Sequence, residues 1–438
     1  MSKFIIHGGK QLRGTIQPQG SKNEAFQVMS AALLTSQPVT IHNVPDILDI
    51  HGLLEVFEIL GVRVEKLAPH SYRLQAADLS LDDIDGEKLK FHASKLRGSI
   101  LVLGPLLARL GKAIISLPGG DKIGRRRLDT HFLGVSKLGA ACHYDTQKEA
   151  YVVQAKQLTG SYILLDESSV TGTANIIMAA VLAQGKTTLY NAACEPHVQQ
   201  LCNMLVQMGA QIEGIGSNLL TIHGVTHLTG TEHTIWPDML EIGSLIGLAA
   251  MTHSHITIQN AISPQLLDPV LERFCSMGIQ LTVTATDIII PPQDSYEIQA
   301  GIHPHHIPTL ADAVWPGLPS DLLSIFLVTA IQAKGSVLIH QKMYESRLFF
   351  VDNLIEMGAQ LVLCDPHRVH VIGLNRAASL RGICMTSPDI RAGIALLIAA
   401  LSADGKSIIE NIRQIDRGYQ HIEVRLRSLG ADIERVEG

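Results

Sequence analysis

A short motif, in which a large apolar residue precedes glycine, recurs six times and constrains the fold more than any other feature of the chain. The six glycines stand at positions 61, 139, 209, 278, 358 and 430, so their separations are 78, 70, 69, 80 and 72 residues. Each follows a helix-like segment and precedes a short β-like run, as in MGAQI from Met208. Glycine readily takes the left-handed conformation that ends a helix. The motif therefore predicts six helix-to-strand turns in six similar repeats.

A second recurring segment lies between these turns. Ala- and Leu-rich helical sequence gives way to a strand in AAVLAQGKTTLYNA from Ala179, and the same order begins at Ala31, Leu106, Ala249, Ala330 and Ala399. Each repeat thus contains helix, strand, helix and strand, with a further strand where the length allows. A repeat of about 70 residues has too small a core to be stable alone. Two groups of three repeats would form two lobes of ordinary domain size.

Composition excludes several classes of protein. Hydrophobic residues make up 46% of the chain and charged residues only 17%, which is typical of a well-buried globular protein and not of a disordered one. The net charge of −6 is not the excess of positive charge that is typical of proteins that bind nucleic acid or an anionic membrane. We therefore expect neither nucleic acid nor membrane as a partner.

Cysteine and histidine usage indicates a reduced, metal-free protein. Six cysteines are scattered without a C-x-x-C pair, as expected of free thiols in the cytoplasm. The HPHH run at 303–306 has no acidic or thiol cluster beside it, so we predict no metal and no cofactor. The N-terminus lacks a signal peptide, and the chain lacks the run of about 18 apolar residues that a membrane span requires. We expect a cytoplasmic monomer.

The segment from Ser116 to His131, SLPGGDKIGRRRLDTH, is the strongest candidate for a ligand-binding loop. Its glycines allow the main chain to approach a ligand closely. Three consecutive arginines, Arg125 to Arg127, offer planar donors that suit phosphate and carboxylate groups, and Asp121 places an acid near the tip. The alternative is a solvated basic turn without function.

Other polar and charged residues precede apolar helical runs at equivalent places in the repeats. Aspartates there suit helix N-caps, notably Asp238 and Asp389. Cations at helix starts oppose the helix dipole unless an anion lies beside them. We therefore expect them to converge with the loop on an anionic ligand in the cleft between the lobes. The members are Lys22, Asn23, Arg97, Asp238, Glu241, Asp321, Arg347, Asp389, Arg391 and Arg417.

Motifs along the whole chain carry a resemblance to a known family. They are GGKQLRGTIQPQGSKNEA, LRGSILVLGPLLARLGKAIISLPGG, SSVTGTANIIMAAVLAQG, PDMLEIG, LPSDLL, YESRL, PDIRAG and IDRGYQHIE, in this order. With these motifs the chain resembles the enolpyruvyl transferases. The resemblance implies an α/β fold, a two-lobed inside-out α/β barrel built from six βαβαββ repeats, three per lobe. Residues 22–232 would form the first lobe, which carries the loop 116–131, and residues 1–21 plus 233–438 the second.

The resemblance also implies a reaction. The branch of the family that the motifs match best transfers the enolpyruvyl group of phosphoenolpyruvate to the 3-hydroxyl of UDP-N-acetylglucosamine, in peptidoglycan synthesis, and releases phosphate. This addition and elimination through a tetrahedral intermediate needs a cationic clamp, a base near the hydroxyl and an acid for the methylene carbon. The expected partners are therefore these two small molecules.

Residue by residue, the resemblance assigns roles to the matching positions. Asp121, Asp321, Lys22 and Arg417 form the catalytic set, with Asp321 as the candidate base. Phosphoenolpyruvate would contact Lys22, Arg126 and Arg417, with added positive field from Arg97, Arg347 and Arg391. The uridine diphosphate of the acceptor would be lined by Arg126, Arg127, Leu128, Asp129, Thr130, Ser169, Val170 and Met343. Further substrate contacts fall on Asn23, Glu167 and Asp389.

Two positions depart from the family pattern. Most members carry cysteine where this chain has Asp121, and a free carboxyl has a pKa near ~3.9 against ~8.5 for a thiol. Lys122 and the three arginines favour the ionised form, so proton delivery by Asp121 requires burial or bound anions that raise its pKa. At Glu167 some relatives place lysine against the diphosphate, and a carboxylate there would repel that group.

Three alternatives follow from these departures. A sister enzyme makes 5-enolpyruvylshikimate 3-phosphate, but it typically has Lys-Ser where this chain has Lys22-Asn23. A paralogue would pass enolpyruvate to another nucleotide sugar, which Glu167 would permit. A binding protein that has lost turnover is the third alternative, and retention of Lys22, Asp321 and the arginines argues against it.

Overall fold

The computed structural model describes residues 2–81, 94–121, 123–261, 264–300 and 306–438. Lys122 and residues 303–305 of the HPHH run lie outside the described residues. The chain divides into two compact units. The terminal unit comprises Met1–Gln19, Lys122–Arg125 and Pro237–Gly438, and the inserted unit comprises Gly20–Asp121 and Arg126–Trp236. The inserted unit thus begins at Gly20 and ends at Trp236, whereas the sequence prediction places this lobe at 22–232.

The α-helices of the described residues include several that are almost entirely buried, among them Val170–Ala180, Met239–Met251, Leu323–Ala330 and Ile390–Ser402. In chain order they are α1 (Lys22–Ala31), α2 (Leu48–Ile59), α3 (Leu103–Leu110), α4 (Asp129–Lys137), α5 (Val170–Ala180), α6 (Pro196–Gln207), α7 (Met239–Met251), α8 (Pro264–Ser276), α9 (Leu323–Ala330), α10 (Val351–Glu356), α11 (Ile390–Ser402), α12 (Arg413–Asp416) and α13 (Ile422–Ser428). Short 3₁₀ helices occupy Ala32–Leu34, Arg97–Val102 and Ser320–Leu322.

The β-strands of the described residues are short. In chain order they are β1 (Lys3–His7), β2 (Arg13–Ile16), β3 (Val39–His42), β4 (Arg63–Ala68), β5 (Ser71–Gln75), β6 (Lys112–Ser116), β7 (Ala141–Asp145), β8 (Ala150–Gln154), β9 (Tyr162–Leu164), β10 (Lys186–Tyr190), β11 (Gln211–Glu213), β12 (Leu219–His223), β13 (Glu232–Thr234), β14 (His255–Ile258), β15 (Thr282–Val283), β16 (Ile288–Ile290), β17 (Thr309–Ala311), β18 (Ser336–His340), β19 (Gln360–Asp365), β20 (Arg368–Ile372), β21 (Cys384–Thr386), β22 (Lys406–Glu410) and β23 (Asp432–Val436).

The element order confirms the predicted βαβαββ repeat. Strand β9 leads into α5, β10, α6, β11 and β12, and the four strands form one sheet in the order β11-β12-β10-β9. Strands β17 to β20 repeat this with α9 and α10, in the order β17-β18-β20-β19. The pairs β9–β10 and β17–β18 are parallel, and all other neighbouring strands in these two sheets are antiparallel.

Near each point where the chain passes from one unit to the other, a strand pairs with a strand that is distant in sequence. Strand β13, which precedes α7 in sequence, pairs in parallel with β3, and β2, which precedes α1, pairs in parallel with β14. The sheets are therefore β13-β3-β5-β4 in the inserted unit and β15-β16-β14-β2 in the terminal unit. The remaining two are β6-β8-β7 and β21-β22-β1-β23, so the described strands form three sheets in each unit.

Each unit has its own apolar core, and buried helices form its centre. In the terminal unit α7, α9 and α11 all pack against one another, and every residue of α9 is buried. In the inserted unit α3 packs on α5, and α1, α3 and α5 all contact the 3₁₀ helix Arg97–Val102. Helices that are apolar on all sides are stable only where they are surrounded by protein. The sheets cover these helices with one apolar face and expose the other, which is the inside-out arrangement.

The repeated glycines take the predicted conformation. Gly61, Gly139, Gly209, Gly278, Gly358 and Gly430 all have positive φ, between 83° and 104°. Each lies two residues beyond the last residue of a helix, as the left-handed C′ position requires. Asp238 and Asp389 are N-caps, as predicted: the Asp238 carboxylate accepts from the Leu240 N–H, and the Asp389 carboxylate accepts from the N–H groups of Arg391 and Ala392.

Candidate active site

In the terminal unit, Asp321 lies between two arginines that come from distant parts of the sequence. Its Oδ1 accepts a hydrogen bond from Nη2 of Arg347 at 2.5 Å, and its Oδ2 accepts from Nε of Arg391 at 3.2 Å. Asp321 belongs to the 3₁₀ helix that precedes α9, and Arg391 is the second residue of α11. The arginine side chains are only 11% and 6% exposed, whereas that of Asp321 is 25% exposed. The carboxylate is thus the part of this cluster that solvent or a ligand can reach.

Arg391 also forms a hydrogen bond with the hydroxyl of a buried tyrosine. Its Nη1 donates to the Tyr419 hydroxyl at 3.4 Å, and this hydroxyl also bonds Ser244 Oγ at 2.9 Å. Burial alone would lower the pKa of Arg391, but the charge of Asp321 and the contact with Tyr419 outweigh it and raise that pKa. Burial raises the pKa of Tyr419 to about 12. Arg391 is therefore a permanent cation with a fixed orientation.

A buried aspartate fixes the segment that carries Met343 and Arg347. The Asp312 carboxylate accepts from the backbone N–H groups of Lys342 and Met343 and from the Gln341 amide. Burial raises the pKa of Asp312, and the hydrogen bonds from the two N–H groups counteract part of this effect. The Arg347 guanidinium also stacks on the Tyr344 ring at 5.0 Å. Met343 itself is exposed at 39%.

Arg417 follows the four-residue helix α12, and its Nη1 donates to Gln414 Oε1 at 2.8 Å. The sequence placed Arg347 and Arg417 at helix starts, and this expectation is wrong. Arg347 precedes α10 by four residues, and Arg417 lies at the C-terminal end of α12, where a cation complements the helix dipole.

In the inserted unit, Lys22 is the first residue of α1 and forms a buried ion pair. Its Nζ lies 2.6 Å from Oδ2 of Asp49, and the two side chains are 12% and 7% exposed. The ammonium also lies 6.0 Å from the Phe26 ring centroid. The cation at this helix start is therefore balanced by an anion of the protein itself. Asn23 is the next residue of α1 and is partly buried.

Arg97 holds the main chain of the arginine segment. Its Nη2 donates to the carbonyl oxygens of Arg126 and Arg127 at 3.0 and 3.1 Å. Gly120 lies against this pair with a φ of 105°, and a Cβ there would lie 2.9 Å from the Cβ of Arg97 and 3.3 Å from Nη1 of Arg126. Glycine is required at this position because both the conformation and the space exclude a side chain. Arg126 is half-buried, as is Asp121.

A buried histidine lies behind these arginines. Asn175 Nδ2 donates to His131 Nδ1 at 2.9 Å and to the Ile100 carbonyl, while its Oδ1 accepts from the Gly104 N–H. The proton of the neutral ring is then on Nε2, which donates to Thr171 Oγ1 at 3.2 Å. His131 is fully buried, and burial together with the charge of Arg97 lowers its pKa to about 3. This network joins α4 and α5 to the 3₁₀ helix that begins with Arg97.

Carboxylates surround Arg127 and Thr130. Arg127 pairs with Asp129 through Nε at 3.0 Å and with Asp166 through Nη2 at 2.9 Å. The buried Thr130 hydroxyl contacts both Asp166 at 3.2 Å and Glu167 at 3.0 Å. Two carboxylates therefore pair with the Arg127 guanidinium, and a third, that of Glu167, contacts Thr130, in the region that the resemblance assigns to a diphosphate.

Two further predicted residues begin helix α5. Ser169 is its N-cap, since its hydroxyl accepts from the Gly172 N–H, and Val170 is the first helical residue. Leu128 is the residue before α4, and Asp129 begins that helix. An N-cap role explains Ser169 without a ligand.

The tip of the predicted loop has partners within the terminal unit. The Arg125 N–H donates to Oε2 of Glu345 at 3.0 Å, and the Ser346 N–H donates to the Ile123 carbonyl at 3.1 Å. Glu345 stands two residues before Arg347 in the YESRL motif. The backbone of the loop at Ile123 and Arg125 therefore has specific hydrogen-bond partners, although the Arg125 side chain is exposed.

The structure brings together several predicted residues and adds others that the sequence analysis missed. Asp321, Arg347 and Arg391 form one cluster, and Arg97, Arg126 and Arg127 form another. The partners that were missed are Asp49, His131, Asp166, Asn175 and Tyr419. Each is an ordinary residue in an apolar or turn-like context, and no local pattern distinguishes it from a capping or core residue.

Two kinds of feature are absent from the described residues. Within the ranges given above, no group of three or more His, Cys, Asp or Glu side chains is arranged to hold a metal ion. Among the helices described, none is long and apolar enough to cross a membrane.

The fold and the residue sequence together define the class of protein. The sequence model of the EPSP synthase (3-phosphoshikimate 1-carboxyvinyltransferase) family matches residues 6–426. The chain therefore belongs to this family of enolpyruvyl transferases. Among solved structures, the enolpyruvyl transferase NikO from Streptomyces tendae has the same fold, with a TM-score of 0.87 and 23% identity over 100% of this chain and 99% of its own. EPSP synthase from Acinetobacter baumannii has a TM-score of 0.75 and 18% identity over the full length of both chains.

Closer relatives within the family carry one name. The chain is 58% identical over 436 residues to UDP-N-acetylglucosamine 1-carboxyvinyltransferase of Bacteroides fragilis, with 100% of both chains covered. The proteins of that name from Porphyromonas gingivalis and Treponema denticola are 56% and 48% identical, also over the full length of both chains.

Proposed function

We propose that this chain transfers the enolpyruvyl group of phosphoenolpyruvate to the 3-hydroxyl of UDP-N-acetylglucosamine and releases phosphate, in the synthesis of peptidoglycan. The observation that carries the proposal is the 58% identity, over the full length, to an enzyme of that name. The charged clusters around Asp321 and Lys22 support it, since the reaction needs ionised groups at defined positions.

Asp321 is the proposed general base for the acceptor hydroxyl. Its two oxygens receive hydrogen bonds from Arg347 and Arg391, but a carboxylate oxygen has two lone pairs, so acceptor capacity remains. The exposed part of the cluster is the carboxylate, and the buried arginines prevent it from rotating. A positioned base of this kind contributes about 10²- to 10⁴-fold to the rate.

The addition step forms one C–O bond and one C–H bond and breaks the C2=C3 π bond. The acceptor oxygen attacks C2 of phosphoenolpyruvate and gives its proton to Asp321, while Asp121 delivers a proton to the methylene carbon C3. In the elimination step C3 returns a proton to the Asp121 carboxylate, the C2–O bond to phosphate breaks with its electron pair leaving on phosphate, and the C2=C3 double bond forms again. Asp321 then releases its proton to solvent. Lys22, Arg126 and Arg417 would stabilise the phosphate and the carboxylate of the donor.

The acceptor side requires its own test because of its local charge. Glu167 and Asp166 share the Thr130 hydroxyl, and Arg127 pairs with Asp129 and Asp166. These carboxylates favour a second candidate, a transferase for another nucleotide sugar whose diphosphate is held elsewhere. Arg126 and the backbone of the arginine segment remain the proposed diphosphate contacts in the first candidate. We further propose that the enzyme works as a cytoplasmic monomer.

Phosphate release from phosphoenolpyruvate distinguishes these candidates. The full-length protein is assayed separately with UDP-N-acetylglucosamine, with other UDP-sugars and with shikimate 3-phosphate, and Asp321→Asn serves as the impaired control. Rapid release with UDP-N-acetylglucosamine alone is the expected result. Release only with shikimate 3-phosphate, or with a different sugar nucleotide, would reassign the acceptor. No release with any acceptor would leave only a binding role for the fold.

A further inference from the structure

The helix that precedes Arg417 is too short to fix its own position. Helix α12 spans only Arg413–Asp416, and a single turn of helix is unstable without tertiary contacts. Ile412 and Ile415 anchor its apolar side in the core, where both are fully buried. Two residues after Arg417, Tyr419 is buried and bonded to Ser244. What remains to be fixed is the polar side of α12, next to Arg417.

A single guanidinium from the C-terminal strand contacts that polar side. Arg435, on β23, donates from Nη1 and Nη2 to the two oxygens of Asp416 at 3.0 and 2.6 Å. It also donates from Nε and Nη2 to the two oxygens of Glu423, in the first turn of α13, at 2.7 and 3.1 Å. Four hydrogen bonds thus join β23 to the residue immediately before Arg417 and to the helix that follows.

The surroundings of Arg435 hold it in one orientation. Its guanidinium lies 5.1 Å from the centroid of the Phe4 ring, which is fully buried on β1. The side chains of Arg435, Asp416 and Glu423 are 22%, 18% and 5% exposed. The hydrogen bonds that Arg435 donates to Asp416 and to Glu423 raise its pKa against the effect of burial. Burial acts to raise the pKa of Glu423, and the hydrogen bond from Arg435 reverses this and lowers it.

We propose that Arg435 is a positioning residue for the transfer reaction: through Asp416 it fixes the turn from which Arg417 reaches phosphoenolpyruvate. This inference rests on the proposed function, in which Arg417 contacts the donor. Arg435 itself contacts no substrate in this proposal. Its effect should therefore be specific for phosphoenolpyruvate, because the proposed contacts of the UDP-sugar lie on other segments.

Arginine is required here because of its geometry. Two carboxylates are each held by a pair of parallel N–H groups, and the compact ammonium of lysine cannot form both pairs. Arg435→Lys keeps the charge and most of the volume, so it mainly removes the planar set of N–H donors that binds the two carboxylates. Asp416→Asn is the complementary variant, because it keeps the shape of the side chain and removes the negative charge that the Arg435 guanidinium binds.

The chain offers a matched control for the lysine substitution. Arg368 also pairs with an aspartate, Asp365, at 2.6 Å, but this pair lies at an exposed turn between β19 and β20. Arg368→Lys changes the same chemistry in the same unit and touches no residue of the proposed site. It should leave both KM values unchanged.

The experiment measures steady-state phosphate release by the full-length wild type and four variants. These are Arg435→Lys, Asp416→Asn, Arg368→Lys and the double variant Arg435→Lys/Asp416→Asn. The temperature is one at which circular dichroism shows all five proteins folded. We expect kcat/KM for phosphoenolpyruvate to fall about 10- to 100-fold in Arg435→Lys and in Asp416→Asn, since a displacement of about 1 Å can cost this much. The KM for UDP-N-acetylglucosamine should stay within about twofold. The double variant should be no worse than the more impaired single variant, because both disrupt one link.

Each other outcome has a defined meaning. Wild-type kcat/KM for phosphoenolpyruvate in Arg435→Lys and Asp416→Asn, or an equal loss of kcat/KM for the two substrates, would overturn the positioning role. If Arg435→Lys does not fold, Asp416→Asn decides the question alone. If the wild type and Arg368→Lys both release no phosphate, the proposed function fails and this inference with it. If these two are active and Arg435→Lys and Asp416→Asn have a normal kcat/KM for phosphoenolpyruvate, only the inference is rejected.

Discussion

Replacing His131 should change how the stability of the protein depends on pH. The ring is fully buried with a folded-state pKa of about 3, against 6.5 for an exposed histidine. Because the folded pKa is depressed, the unfolded chain binds the proton more readily between these values, and stability rises with pH across this window. One pKa unit corresponds to about 1.4 kcal/mol, so lowering the pH from 7.5 to 5.0 should cost about 2 kcal/mol from this residue alone.

The assay compares the wild type with His131→Gln in urea at pH 7.5 and at pH 5.0. At pH 7.5 the variant should be less stable by about 1–3 kcal/mol, because the partners of the ring lose hydrogen bonds. At pH 5.0 this difference should shrink by about 2 kcal/mol, or by about 4–8 °C in Tm for a domain of 150–250 residues. Carboxylates titrate in both proteins and cancel in the comparison.

Two features of the chain make the measurement specific. Trp236 is in the inserted unit, and the other tryptophan, Trp315, is in the terminal unit. Fluorescence in a Trp315→Phe background therefore reports the unit that contains His131, which matters because two units need not unfold together. His227→Gln, which removes an exposed ring from the same unit, is the control and should follow the wild type. Parallel pH profiles of His131→Gln and the wild type would refute the reasoning.

Three further predictions concern the proposed reaction. Asp321→Asn should lower kcat about 10²- to 10⁴-fold, as expected for loss of a general base, and a phosphate-release assay that finds kcat within twofold of wild type would exclude this role. Asp121→Cys should make the enzyme sensitive to fosfomycin, while the wild type should resist it and lose activity at higher pH; mass spectrometry of the 116–131 peptide detects the adduct, and an adduct on the wild-type loop would contradict the prediction. Glu167→Lys should lower the KM for UDP-N-acetylglucosamine about fivefold, equivalent to about 1 kcal/mol, with Glu167→Gln in between, and an unchanged KM in initial-rate kinetics would mean that the diphosphate lies elsewhere.

Repeats and turns were predictable from the sequence because their signals are local. A glycine that ends a helix acts through its own φ, and an N-cap aspartate acts on N–H groups two or three residues away. Gly209 and Asp238 could therefore be assigned without knowledge of the rest of the chain. The same holds for the order of elements in each repeat, which depends on hydrophobic periodicity.

Electrostatic partners were not predictable, since they join distant parts of the chain. Lys22 was expected to need an anion, and the structure supplies Asp49 from the next helix of the protein itself. The pairing of Asp321 with Arg347 and Arg391 likewise depends on how α9 and α11 pack. Sequence spacing singled out these charged residues as candidates, but it could not say which of them are balanced by other residues of the protein.

The pairing of β1 with β22 and β23 has a consequence for synthesis on the ribosome. Strand β1 pairs only with β22 and β23 in its sheet, with Lys3 opposite Glu410 and Val436. At about 5–20 residues per second, this first strand waits on the order of 20–80 s for its neighbours to be translated. Residues 20–236 emerge as one nearly continuous stretch and can fold during that interval. The nascent polypeptide must therefore keep the apolar strand β1 from mispairing until β22 and β23 have been translated.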